Sequence, residues 1–284
     1  MRENLLSQHP FEFNEIIERT FVGEVHFRDQ MTSTSDVAAE LVRSRTVDCP
    51  LLVLTANQTA GRGRHSRSWY SNEGSLTFTL VLPEERLSAG VERILSLATG
   101  VGCATALNRL VGEEAGGIGL KWPNDLFASF DGVPRKLAGI LAERVVGQGA
   151  TCFVIGIGVN VANSGSGVPD DVATSAVSLD MVTAKVANGP GATLQGVLLA
   201  LLTGLESVFS CDASDVVRQI NELSILNDKS VQLRLPDGSM VGGICRGIEA
   251  DGGLKLELAS ASRTQIFRSA TVESWTEMST GSDG

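Results

Sequence analysis

Three arginines, Arg62, Arg64 and Arg67, fall within six positions of NQTAGRGRHSRSW (57–69), beside Gly61, Gly63 and His65. Guanidinium groups supply charge and forked donors that match carboxylate or phosphate. Glycines let the backbone come close to a ligand and turn successive N–H groups toward an anion. The combination suits a ligand that is, or becomes, a phosphate ester. Alone, such a loop is more often a solvated basic turn.

Two further segments carry complementary groups. In KWPNDLF (121–127), Lys121 is a cation, Trp122 a flat apolar surface, and Pro123 fixes a turn. Asn124 can hydrogen-bond a ligand or the backbone, and Asp125 can hold a metal ion or accept a proton. A plain Asn-Asp turn between two strands explains the same residues without function. In RKLAGILAE (135–143), Lys136 opens an apolar run and Gly139 leaves space beside it. A lone lysine there ordinarily lays its stem on apolar surface and ends in solvent. That reading weakens when other anion-binding groups converge nearby.

Other signatures are missing. No GxxxxGK[ST] occurs, which excludes a P-loop NTPase. GIGVN (156–160) is half of a dinucleotide fingerprint and opens no helix pattern. There is no GxSxG elbow, and His9, His26 and His65 lack metal-ligand spacing. His65 reads as a loop histidine.

These groups need elements to hold them. VHFRD (25–29) predicts a strand, and Thr34 or Ser35 a cap for a helix through DVAAELVRS. LLVLTA (51–56) is a continuous apolar run, as in a strand buried on both faces. The Arg/Gly stretch follows as a loop. SLTFTLVLP (75–83) alternates, with Leu76, Phe78, Leu80 and Leu82 on one face. Residues 88–111 carry helix-spaced Val91, Ile94, Leu95, Ala98 and Val101. Strands are expected through GLKW, DLFA, KLAGILAER and CFVIGIGVNV. NSGSGVPDD (163–171) reads as a loop. Two or three helices follow between Thr174 and Leu223. Beyond Asn227 come short alternating segments joined by PDGS and EADGG turns, the pattern of a small SH3-like β-barrel. The domains are therefore 1–226 and 227–284, with MSTGSDG a disordered tail.

The chain has 284 residues and a formal net charge of -10. An acidic surface argues against duplex DNA, which needs a broad basic face, but permits a small anion held in a local cationic pocket. Five scattered cysteines without CxxC indicate reduced thiols and a cytoplasmic setting. The start lacks a signal-peptide apolar stretch, and no segment is expected to cross a membrane.

Taken in order, TSTS (32–35), NQTAGRGRHSRSW (57–69), GLKWPNDL (119–126), RKLAGILAE (135–143) and IGIGVNV (155–161) resemble the biotin–protein ligase family. The likeness covers about residues 25–275. Each motif alone is weak, and the ordered set is specific. The resemblance implies an α+β fold: a mixed β-sheet flanked by helices, akin to class II aminoacyl-tRNA synthetases, followed by the SH3-like barrel. It implies an enzyme that activates biotin with ATP and Mg²⁺ to biotinoyl-5'-AMP and pyrophosphate. Biotin then passes to one lysine of a biotin carboxyl carrier domain in a biotin-dependent carboxylase.

The family's residue roles carry over to matching positions. Ser33, Thr34, Ser35, Gln58, Gly61, Arg62, Gly63, Arg64, Lys136 and Gly139 are implied to bind biotin. Arg64, Trp69, Asn124, Lys136 and Asn160 are implied to bind ATP, with Trp69 folding over the adenine. Lys136, Arg64, Arg62 and Asp125 are implied to be catalytic, Asp125 helping the acceptor lysine lose its proton or holding Mg²⁺. The family often has Asn where Ser35 stands, so one biotin contact is expected to be shortened or water-mediated. TSTS begins at Thr32, which leaves no room for the winged helix of bifunctional members. A ligase-only protein is expected, monomeric or homodimeric, without DNA or membrane partners. A lipoate or octanoate ligase of the same superfamily is the alternative, and a biotin-responsive DNA regulator a more distant one.

Overall fold

The computed structural model describes residues 9–72, 74–112, 116–148, 150–162, 174–184, 192–258 and 263–277. The 163–171 loop and the 278–284 tail expected above lie outside the described residues. The chain opens with a short helix, α1 (Phe13–Arg19), that no sequence pattern announced; Ile16 is its buried residue. Strand β1 (Glu24–Met31) then leads to helix α2 (Thr34–Ser44) and strand β2 (Leu51–Gln58). The α2 cap is Ser33, one residue ahead of the expected Thr34 or Ser35. Ser33 has the extended backbone a cap needs, and its hydroxyl accepts from the Asp36 amide.

The Arg/Gly stretch is more than a loop. It forms a small hairpin, β3 (Gly61–Arg62) with β4 (Ser68–Trp69), around a tight turn in which His65 is left-handed at φ 51. Strand β5 (Ser75–Pro83) follows, then a 3-10 turn over Val91–Ile94 and helix α3 (Leu95–Val111). The helix expected from residue 88 thus starts later. By length and composition alone Val91–Val111 is apolar enough to cross a membrane. It is the core helix, however, with 72% of the apolar window buried inside the protein.

Strands β6 (Ile118–Lys121), β7 (Asp125–Phe130), β8 (Val133–Val146) and β9 (Thr151–Asn160) come next. With the earlier strands they form one seven-stranded sheet in the order β1-β2-β5-β9-β8-β7-β6. Only the β1–β2 pair is parallel. The alternation of β5 has a structural basis. Leu76, Phe78, Leu80 and Leu82 join the large core with α3, whereas Val81 joins a smaller cluster with Ala38 and Val42 of α2. Thr77 and Thr79 share the register of Val81, so two buried hydroxyls stand on the α2 face.

Helices α4 (Leu179–Thr183), α5 (Leu194–Phe209) and α6 (Ala213–Leu223) complete the first layer. Gly102 of α3 and Gly204 of α5 let these helices touch: a Cβ at Gly204 would lie 2.4 Å from the Gly102 carbonyl oxygen. The chain ends in β10 (Ser230–Arg234), β11 (Met240–Ile248), β12 (Leu254–Leu258), β13 (Arg263–Phe267) and β14 (Thr271–Thr276). These make an antiparallel five-stranded sheet ordered β13-β12-β11-β10-β14. Pairing leaves β13 and β14 as edges, so hydrogen bonds do not close a barrel. This sheet is joined to the first by specific bonds. Trp122 donates its indole N–H to the Gly252 carbonyl at 2.9 Å, and Asn221 of α6 brackets Ile248 at 2.8 and 2.9 Å.

Candidate functional site

One cavity gathers most of the residues singled out by sequence. Its walls include Ser33, Thr34, Ser35 and Gln58 at one end and Arg64, Asn124, Asp125 and Lys136 at the other. The first end is a relay of buried hydroxyls. The Thr34 amide and hydroxyl donate to Gln58 Oε1 at 2.7 and 3.1 Å. Thr79 Oγ1 lies 2.9 Å from Thr34 Oγ1 and 3.1 Å from Ser35 Oγ. Each hydroxyl can donate once and accept twice, so the chain retains capacity for a polar ligand edge. Gly156 gives it room: a Cβ there would lie 2.5 Å from Ser35 Oγ.

The middle of the cavity is flat and apolar. Gly139 of β8 pairs directly with Gly158 of β9, so two adjacent positions lack Cβ atoms. The Trp69 indole lies against them, and a Cβ at Gly158 would come within 2.3 Å of its ring. Trp69 Nε1 is buried without a hydrogen-bond partner among the described residues.

The far end is cationic. Lys136 Nζ lies 2.7 Å from Asp125 Oδ1, with side chains 36% and 20% exposed. It also stands 5.8 Å from the Trp69 ring centroid. Arg64 approaches Asn124 Oδ1 at 3.3 Å and the His65 ring nitrogen at 3.4 Å. Burial pulls the Arg64 pKa below its ordinary value, opposed in part by the Asp125 charge. Asn124 is itself fixed, its side-chain amide donating to the Ile140 carbonyl at 2.6 Å and its backbone carbonyl accepting from the Ile140 N–H at 3.0 Å. KWPND is thus both a β6–β7 turn, with Lys121 opposite Asp125, and a wall of the cavity.

Other residues fall differently. Arg62 lines the cavity, but its guanidinium pairs with Asp36 of α2 and with Glu143 of β8, the latter at 2.6 Å. These pairs, the Asp36 hydrogen bond foremost, raise its pKa. Asn160 is buried and spends its amide on the carbonyls of Val177 and Lys136, at 3.3 and 3.4 Å, behind the lysine. Gly61 packs between Gln58 and Trp69. Trp122 is 2% exposed and belongs to the core rather than offering an open stacking face. Sequence reading missed Thr77, Thr79, Gly156, Gly158, Asp36 and Glu143. The period of two in SLTFTL and in GIG placed each pair on one strand face, and that signal was available.

Among the described residues no group of three or more His, Cys, Asp or Glu side chains could cage a metal ion. The arrangement joins a polar slot, a flat apolar floor and a cationic end. It can hold an amphiphilic acid by its ring and bring its carboxylate to a phosphate.

Residues 27–160 match the Biotin/lipoate A/B protein ligase family. The chain belongs to that family. It is 31% identical over 250 residues to the biotin–[acetyl-CoA-carboxylase] ligase of Mycobacterium tuberculosis, covering 85% of each chain. It is 31% identical over 176 residues to the bifunctional ligase/repressor of Bacillus subtilis, covering 61% of this chain. It spans about half, 51%, of the length of that relative. In fold it is similar to the biotin protein ligase of Aquifex aeolicus in complex with biotin and ATP, with a TM-score of 0.70 and 21% identity. That likeness covers 90% of this chain and 99% of the other.

Proposed function

We propose that this chain is a biotin–protein ligase. It activates biotin with ATP to biotinoyl-5'-AMP and pyrophosphate, then transfers biotin to a lysine of a carboxylase carrier domain in the cytoplasm. The observation that carries the reading is one cavity joining the Ser33–Thr34–Gln58 slot, the Gly139–Gly158 floor and the Lys136–Arg64 end. The slot suits a cyclic urea, which both donates and accepts. The strip without side chains, on which the Trp69 indole now rests, suits a fused bicyclic ring once that indole moves aside. The names of the Mycobacterium and Aquifex relatives favour biotin over lipoate. A lipoyl ring has no urea to occupy the hydroxyl relay.

In the first step a carboxylate oxygen attacks the α-phosphorus, and the bond to the β-phosphate oxygen breaks. Two anions must meet, so Lys136 and Arg64 offset their repulsion and the growing transition-state charge. In the second step the acceptor amine attacks the acyl carbon, AMP leaves, and an amide forms. Asp125 holds Lys136 before substrate arrives, a role that sits beside its readings as proton acceptor and metal ligand. The oxygens of Asp125 and Asn124, which line the cavity, are the donor type that Mg²⁺ prefers, and it commonly relies on few protein ligands plus phosphate. Mg²⁺ would supply further neutralisation of phosphate charge. Trp69 shields the reactive adenylate from water. We read the catalytic domain as 1–226 and the C-terminal sheet as a small SH3-like module.

Incubation with ATP, Mg²⁺, labelled biotin and an apo-carrier domain tests this reading. Covalent label on the carrier is expected. Label transfer from lipoate but not from biotin would replace it.

A further inference from the structure

Thr79 is fully buried and does not line the cavity, yet it touches two residues that do. Its hydroxyl oxygen lies 2.9 Å from Thr34 Oγ1 and 3.1 Å from Ser35 Oγ. The direction of every proton in this chain follows from one end. The Thr34 backbone N–H donates to Gln58 Oε1 at 2.7 Å, so that atom is the amide oxygen and only accepts. The Thr34 hydroxyl lies 3.1 Å from the same oxygen and spends its one proton there. The bond between Thr79 and Thr34 must then use the Thr79 proton, and the bond between Ser35 and Thr79 the Ser35 proton. The relay runs one way, from Ser35 through Thr79 and Thr34 to Gln58. Gly156 keeps it intact, because a Cβ there would lie 2.5 Å from Ser35 Oγ and 3.7 Å from Thr79 Oγ1.

A one-way relay fixes what the slot can offer a ligand. Ser35 and Thr34 have no proton left and present lone pairs, so they accept. The donors stand on the same wall. The Ser33 hydroxyl accepts from the Asp36 amide at 3.4 Å and, among the described residues, keeps its own proton, and Gln58 Nε2 keeps both of its protons. We propose that Thr79 is a positioning residue that sets the polarity of the slot. It holds Ser35 and Thr34 as acceptors for ring N–H groups, while Ser33 and Gln58 meet the ring carbonyl. This rests on the ligase reading and deepens it, because the pattern matches a cyclic urea, with two N–H donors flanking one C=O. A valine at position 79 fills the same space but accepts no proton. Ser35 is then free to donate toward the ligand, and discrimination against a ring with an acceptor in place of an N–H weakens.

Calorimetry on the full chain tests this with biotin and its two cyclic carbamate analogues, in which oxygen replaces one ring N–H or the other. The unaltered protein should bind biotin about a hundredfold or more tighter than either analogue, because two acceptors would then face each other with no proton between them. Thr79→Val should narrow that gap about tenfold for at least one analogue, the worth of one hydrogen bond, and Thr79→Ser should keep it. Ser35→Ala removes the end of the relay and should narrow the gap too, which guards against a packing defect at position 79. Equal weakening of all three ligands in Thr79→Val, or no change in any, would overturn the role, since a merely structural hydroxyl would not move the ratio. Absence of biotin binding by the unaltered protein would instead refute the ligase reading.

Discussion

At the residue scale, two lysines of one cavity are held in opposite ways. Lys136 is neutralised in place by Asp125, whereas Lys121 is held by aromatic rings and a carbonyl. Lys136→Ala removes a charge that faces the reacting groups, so adenylate formation should fall about a hundredfold, or ~3 kcal/mol of barrier. Pyrophosphate release measures this, and a near-normal rate would refute the role. For Lys121 the pH dependence of stability is informative. Its folded pKa lies below the ordinary lysine value because burial disfavours the charged form. The unfolded chain then holds the proton more tightly, so this group lowers stability below its folded pKa and the deficit disappears as pH rises through the unfolded value of about 10.4. Lys121→Met should be at least as stable as the unaltered protein at neutral pH, with its relative advantage shrinking toward pH 10. Thermal unfolding across that range measures it, and a large loss at neutral pH would contradict a charge that burial disfavours.

At the element scale, the site depends on what β8 and β9 omit. The Gly139–Gly158 pair leaves a strip without side chains on which the Trp69 indole rests, and Gly156 leaves space for Ser35. Gly158→Val should abolish biotin binding by calorimetry while thermal unfolding stays cooperative, because the added atoms displace the Trp69 ring within the cavity rather than disturb the core. Retained affinity would mean that the ring lies elsewhere. Much of this was legible beforehand. Apolar runs and turn residues announced the strands from β5 to β9, and GRGRH, KWPND and KLAG marked three of the cavity walls. The hidden parts are long-range or local. That Thr79 meets Thr34 and Ser35 depends on how α2 crosses the sheet, which no periodicity encodes. The Arg62 pairs with Asp36 and Glu143 join residues that lie 26 and 81 positions apart. Helix α1 buries chiefly Ile16, too little to imprint an amphipathic stripe.

At the scale of the whole molecule, the two sheets share one purpose. The first supplies the hydroxyl slot and the Lys136–Arg64 end, and the second closes the cavity with Ala270, Thr271 and Val272 and braces Lys121 and Trp122. An acidic protein with net charge -10 thereby concentrates cations where a polyanion reacts. The central claim is that this cavity makes an acyl-adenylate and hands the acyl group to a carrier lysine. The most direct measurement is mass spectrometry of an apo-carrier domain after incubation with the protein, biotin, ATP and Mg²⁺. One biotinoyl addition on a single lysine, dependent on ATP and lost in Lys136→Ala, is the predicted result. An unmodified carrier under conditions where a known biotin ligase labels it fully would contradict the account.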